Sequence, residues 1–255
     1  MSGPDLAIFM PAYNPGALLP ETVARIPPEV WSRIRALFVV DDGSTDSTAE
    51  TVRLLSTARP AIRLRRFDRN RGYGAAVREG LRLCAAEPVA AALDLHSDGQ
   101  YAPESIPALL RAFEHRGLDV VQGSRHARGT AREGGMPLIK LVAGRLLSAL
   151  ENAVFALRLT DYHSGMILFS RRALGTIPFD ALSGSFDFDL EAIACARALG
   201  LRIGEVPIPT RYAGEVSHLR SIPYGLRCLK VVARYAAGAY RGRRAAQPAA
   251  SSARP

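Results

Sequence analysis

The chain alternates short apolar runs with longer stretches in which apolar residues recur every three or four positions. Leu6–Met10, Ala36–Val40, Ile62–Phe67, Val89–Leu93 and Leu118–Gln122 read as strands. Helical periodicity fills the gaps over residues 17–25, up to Leu55, over 74–85 and over 103–113. Such alternation predicts an α/β three-layer sandwich with a mostly parallel mixed sheet. Past residue 135 the pattern predicts a long amphipathic helix over 136–158, a strand over 166–170, a helix over 186–199 and a strand over 203–208. Residues 223–244 form a basic amphipathic segment in which Arg227, Lys230, Arg234 and Arg241 fall on one helical face. The tail AAQPAASSARP is low in complexity and reads as disordered. The organisation expected is a main domain over 1–219, the basic segment over 220–244 and a tail over 245–255.

Composition narrows the function classes. Of 255 residues, 48% are hydrophobic and 22% charged, an ordinary globular balance. The 33 Lys+Arg against 24 Asp+Glu give +9, which calls for an anionic partner such as a nucleotide, a phospholipid, a polyprenyl phosphate or a nucleic acid. Nucleic acid ranks last, because no aromatic interleaving or recognition motif accompanies the charge. Cys84, Cys195 and Cys228 lie far apart, with neither zinc spacing nor a disulfide framework, so a reducing cytosol is expected. No uncharged apolar run reaches the ~18–20 residues that cross a bilayer, and the first residues lack a signal-peptide pattern.

Polar clusters follow the predicted strands, where α/β sheets bind ligands. These are Pro11-Ala12-Tyr13-Asn14, Asp41-Asp42-Gly43-Ser44-Thr45-Asp46 and Asp94-Leu95-His96-Ser97-Asp98-Gly99-Gln100, with Asn70-Arg71-Gly72-Tyr73-Gly74 between the second and third. One carboxylate pair before a helix is commonly a cap or turn. Three clusters in this order are hard to assign to capping. The glycine spacing is not G-x-G-x-x-G, so a dinucleotide site is not expected. A sugar-nucleotide pyrophosphorylase would need a Gly-rich turn with Arg and Lys near the N-terminus, which Pro11–Asn14 does not supply.

In these motifs, together with "VQGSR", "DYHSGMILFSRRAL" and "IGEVPIPTRYAGEVSHL", the chain resembles family 2 glycosyltransferases of the GT-A fold, and among them the dolichol- or polyprenyl-phosphate sugar transferases. The resemblance spans residues 7–219. It implies an inverting, metal-dependent enzyme of cell-envelope glycan biosynthesis that moves a sugar from a GDP- or UDP-linked donor to a polyprenyl-phosphate or glycan acceptor. It also implies a cytoplasmic location, with peripheral attachment at the inner face of the membrane.

By this resemblance Pro11, Ala12, Tyr13, Asn14, Asp41, Asp42 and Gly72 line the nucleotide pocket. Asp98 is the second carboxylate of a metal-binding D-x-D motif, and His96 stands where the first would be. Mg²⁺ or Mn²⁺ is the implied cofactor. Arg125, Arg211, His218 and Gln100 would contact phosphate or acceptor, with His218 replacing a lysine. Arg128 and Arg132 lie in a stretch expected to close over the donor. Asp161 is the expected catalytic carboxylate, as base or as orienter of the acceptor, and Asp189 and Glu191 are lesser candidates. The rival reading is a nucleotide- or membrane-binding scaffold with a weakened site, for which His96 and His218 argue.

Overall fold

A computed structural model of the protein describes residues 5–127, 138–209 and 221–242. Arg128, Arg132, Arg211 and His218 lie outside the described residues.

Seven strands form one sheet: β1 (Leu6–Ala12), β2 (Ile34–Asp41), β3 (Ile62–Arg66), β4 (Ala91–Asp94), β5 (Val120–Ser124), β6 (Ile167–Ser170) and β7 (Ile203–Pro207). Their spatial order is β3-β2-β1-β4-β6-β5-β7. β1 pairs in parallel with β2 and β4, β2 with β3, and β5 with β7, whereas β6 runs antiparallel to both β4 and β5. The reversed strand matters for the site. The parallel strands end at one edge of the sheet, and β6 begins there, so the loop preceding β6 joins the loops that follow β1, β2, β4 and β5.

The central strand explains why the sequence reads as a continuous apolar run. Leu6, Ile8 and Met10 pack on one face with α1 (Leu19–Ala24), α2 (Pro28–Trp31), α3 (Thr48–Ala58) and α5 (Ile106–Arg116). Ala7 and Phe9 pack on the other with α4 (Tyr73–Ala86). A strand covered on both faces has no solvent side to mark with polar residues. Three helices follow α5 among the described residues before the last: α6 (Leu138–Phe155), α7 (Arg171–Thr176) and α8 (Phe188–Ala198). Residues 188–196 of α8 are all buried, so this helix is enclosed rather than amphipathic.

The last helix, α9 (Ser221–Ala236), packs on α6 and α8 and adds Cys228, Val231 and Val232 to the core. The solvated basic face expected here largely forms, with one cation committed to a buried carboxylate. Arg234 donates to Glu191 Oε1 at 2.6 Å and stacks on the Tyr240 ring, and Arg227 lies 3.6 Å from Asp187. Arg227, Lys230 and Arg241 stay exposed, and only Arg234 is drawn partly inward, by the buried Glu191 on α8, because an unpaired buried charge costs more than ordering an arginine. Two short helices, α2 and α7, were not expected from the periodicity; each is too short to show a helical repeat.

Candidate active site

Hydrogen bonds stitch the loops at the carboxyl edge into one floor. Asn14, with φ at 58°, accepts the Thr45 N–H at Oδ1 (2.8 Å), and its own N–H donates to Ser44 Oγ (2.9 Å). The Gly16 N–H donates to Asp46 Oδ2 (2.8 Å), joining the same two loops. The Ser97 hydroxyl donates to the Pro11 carbonyl (2.7 Å), and the Asp42 N–H donates to the Ala12 carbonyl (2.8 Å). Tyr13 projects outward, 47% exposed. The segments after β1, β2 and β4 therefore present their polar residues together, as the order of the motifs implied.

The two adjacent aspartates do different work. Asp42 is committed to the protein: its Oδ1 and Oδ2 accept the Arg71 and Gly72 N–H groups at 2.6 and 2.9 Å, holding the turn that opens α4. Gly72 sits at φ 91°, a backbone conformation that side chains avoid. A Cβ on Gly74 would fall 2.5 Å from the Gly184 backbone, so this turn closes directly against the 183–184 loop. Asp41 is wholly buried, and its Oδ1 accepts the Ser44 N–H (2.7 Å). Its Oδ2 has the Arg66 guanidinium 3.2 Å away but no hydrogen bond. A buried carboxylate oxygen left in this state is an acceptor for an incoming N–H donor. Arg66, directly opposite Asp41 in the β2–β3 register, was not singled out in the sequence, because strand register cannot be read from a run of residues alone.

On the loop after β4, Asp98 is half-buried and its Oδ1 accepts the Gln100 N–H at 3.0 Å. His96 turns elsewhere. Its Nε2 lies 3.2 Å from the Tyr73 hydroxyl, its ring meets Tyr101 edge-on, and Gly165 packs so closely on the imidazole that a Cβ there would overlap it. Burial lowers the His96 pKa, with Arg125 adding to the effect and Asp98 opposing it, which favours the neutral ring. A metal bound through this histidine must use Nδ1 or displace Tyr73.

Behind His96 lies a buried acidic pair. The Tyr73 hydroxyl donates to Asp189 Oδ2 (2.8 Å), and its ring stacks on Phe186. Burial raises the Asp189 pKa from the ordinary 3.8 to about 7. Asp94, at the end of β4, is pushed well up by burial and then by the charge of Asp189, and its Oδ1 has no hydrogen bond. Two carboxyls so placed do not both ionise near neutral pH.

Asp161, in the loop before β6, is fully buried and clamped by Arg125 at the end of β5. Arg125 Nε donates to Oδ2 (2.7 Å), Nη2 to Oδ1 (3.0 Å) and its backbone N–H to Oδ2 (3.1 Å), while the His163 N–H donates to Oδ1 (2.9 Å). Burial alone would raise this carboxyl, yet the charge and hydrogen bonds of Arg125 hold it far below the usual range. An acceptor with its lone pairs so occupied is a poor proton acceptor. What the carboxylate orients is Arg125, which it fixes at the site edge.

The family model described as Glycosyl transferase family 2 matches residues 7–177, the stretch that builds this edge. The chain belongs to that family. Among curated relatives of the glycosyltransferase, the UDP-N-acetylglucosamine–dolichyl-phosphate N-acetylglucosaminyltransferase of Methanococcus voltae is 27% identical over 217 residues, covering 80% of this chain and 85% of that one. The undecaprenyl-phosphate mannosyltransferase of Micrococcus luteus is 28% identical over 201 residues, covering 78% and 81%. Among solved structures, glucosyl-3-phosphoglycerate synthase of Mycobacterium tuberculosis, crystallised with Mn²⁺, UDP and glucosyl-3-phosphoglycerate, superposes with a TM-score of 0.64 at 22% identity over 94% of this chain and 82% of that one. The expected GT-A fold is therefore the fold observed.

Proposed function

We propose that this glycosyltransferase moves a sugar from a GDP- or UDP-linked donor to the phosphate of a polyprenyl phosphate, with inversion and with a divalent cation at Asp98. The observation that carries this reading is the combination of Asp41, whose buried Oδ2 has an ion pair to Arg66 but no hydrogen bond, and the half-buried Asp98 on loops stitched to the same end of β1. Asp41 Oδ2 would accept a ring N–H of the base. Uracil and guanine both offer one, so this contact serves either nucleotide. The names of the curated relatives support a polyprenyl acceptor, and the Mn²⁺ in the solved relative supports a divalent cation.

Asp98 suits such a cation, since Mg²⁺ and Mn²⁺ take oxygen ligands and are held by one or two carboxylates plus the phosphates of the nucleotide. The ion, once bound, neutralises charge on the departing diphosphate. The chain's own residues supply the rest. An anionic phosphate oxygen of the acceptor attacks the anomeric carbon on the face opposite the leaving group. The carbon–oxygen bond to the nucleoside diphosphate breaks, and its electron pair leaves on the diphosphate. Such an acceptor is already ionised and needs no general base, which agrees with an Asp161 that orients Arg125 instead.

Access to a lipid acceptor would come from α6 and α9. Val142, Leu146 and Leu150 on α6 are 55%, 68% and 40% exposed, and Ile222, Leu226 and Leu229 on the neighbouring α9 are 80%, 64% and 45% exposed. Spacings of three and four residues put each trio on one helical face. No helix among the described residues is long and apolar enough to cross a membrane. The pair is proposed to lie in the bilayer interface at the inner face of the cytoplasmic membrane. The apolar trios would enter the interface, with the exposed Arg227 and Lys230 beside them facing anionic headgroups. Co-flotation with anionic vesicles, lost in Leu146→Glu/Leu226→Glu while the fold is kept, tests the surface. Flotation equal to wild type would remove it.

A further inference from the structure

Glu151 on α6, His163 in the loop before β6 and Cys228 on α9 meet in the interior beneath the last helix. One ligand atom from each lies within 4.8 Å of the others, and among the described residues no other group of His, Cys, Asp and Glu gathers in this way. Glu151 and Cys228 are completely buried. Both oxygens of Glu151 and Nε2 of His163 are buried without a hydrogen bond, although Glu151 Oε2 and Nε2 are only 3.3 Å apart. Oε2 and Nε2 pair with each other as an ion pair, which leaves Glu151 Oε1 buried with no partner, where buried polar atoms normally find one.

The imidazole is also aimed. His163 Nδ1 is 2.9 Å from the Tyr224 hydroxyl, which holds the ring and leaves Nε2 facing Glu151. Metal-binding histidines are held in this manner, with the outer nitrogen bonded to a second group. We infer that Glu151, His163 and Cys228 form a buried transition-metal site of the zinc class, separate from the hard-cation site at Asp98. A thiolate, an imidazole and a carboxylate suit Zn²⁺ and are foreign to Mg²⁺, which prefers oxygen. Tetrahedral Zn–S and Zn–N bonds of about 2.3 and 2.0 Å need ligand atoms roughly 3.5 Å apart, so a small rotamer contraction brings the three ligands to bonding distance, and a water would take the fourth position. The thiol proton is released as the metal binds.

No zinc spacing marks this group along the chain, because the three ligands come from three separate segments. Occupancy would tie α9 to α6. Through the His163 N–H that donates to Asp161 Oδ1 at 2.9 Å, it would also stiffen the segment that fixes Arg125.

The test uses the full chain stripped by chelator and titrated with Zn²⁺ and Co²⁺. The expected result is one equivalent of tightly held Zn²⁺ per chain and a rise in Tm of about 5–10 °C at ~100-fold excess over the dissociation constant. Co²⁺ should give tetrahedral d–d bands with thiolate-to-metal charge transfer. These signals should persist in Asp98→Asn and in Cys84→Ala/Cys195→Ala, and vanish in Cys228→Ser and, independently, in Glu151→Gln. An absent thiolate band in the wild type, with no zinc-induced shift, would overturn the inference. So would a wild-type spectrum and stoichiometry in a folded Cys228→Ser protein.

Discussion

Replacing Asp161 by Asn tests how the site is held together. The substitution keeps the shape but removes the charge facing Arg125, whose side chain is only 11% exposed and donates twice to that carboxylate. Removing one partner of a buried pair costs about 3–5 kcal/mol, because the remaining charge stays desolvated. In a chain of this size each kcal/mol moves Tm by about 2–4 °C, so a fall on the order of 10 °C is expected by scanning calorimetry. The pH dependence adds a signature. The Asp161 pKa is depressed in the folded state, so its stabilisation is present above the ordinary 3.8 and is lost as pH falls below it. Wild type and Asp161→Asn should therefore converge in stability on acidification. Activity completes the test through a double-mutant cycle. If Asp161 acts through Arg125, Asp161→Asn/Arg125→Gln should lose no more kcat than the worse single variant. Multiplying losses, or a Tm change under 2 °C, would refute the reasoning.

Three other outcomes follow from the same geometry. Asp41→Asn removes a charged acceptor worth roughly 1.5–3 kcal/mol, so the Kd for the nucleoside diphosphate should rise by about 10- to 150-fold in calorimetric titration, with kcat less affected. Asp189 has its pKa raised from 3.8 to about 7, so its protonated form favours folding at low pH and that contribution is lost as pH rises through 7. Urea midpoints should fall between pH 5 and 8 in the wild type and fall less in Asp189→Asn; parallel slopes would show that this carboxyl does not titrate there. Tyr73→Phe breaks the bond to Asp189 and removes the hydroxyl oxygen that accepts from His96 Nε2, so it should lower the pKa of His96 followed by NMR titration, whereas an unmoved resonance would detach His96 from this network.

All seven strands were legible in the sequence, most as short apolar runs beside a polar cluster and β3 as an alternation of apolar residues and arginines. Their bounds moved by at most two residues, as for β2, whose pairing extends back to Ile34 and on to Asp41. The antiparallel turn of β6 was not legible, since a four-residue strand carries no direction. Motif order placed Asn14, Asp41, Asp98 and Asp161 on neighbouring loops. What each side chain bonds to was hidden. Asp42 and Asp41 are indistinguishable as text, yet one holds a turn and the other faces inward with a spare oxygen. Arg66, Tyr101 and the Glu151–His163–Cys228 group depend on register and long-range packing, which no local pattern encodes. The cations of α9 form the basic stripe that their spacing predicted, but spacing could not show that Glu191 on α8 would pair with Arg234.

The most direct measurement of the central claim is transfer of labelled sugar from GDP- and UDP-linked donors into organic-extractable lipid, with polyprenyl phosphate supplied and Mn²⁺ present or chelated. Wild-type protein should form a labelled lipid phosphate with one of the two donor classes, in a reaction lost on chelation and in Asp98→Asn. Full transfer by Asp98→Asn, or no lipid product from either donor with Mn²⁺ present, would contradict the account.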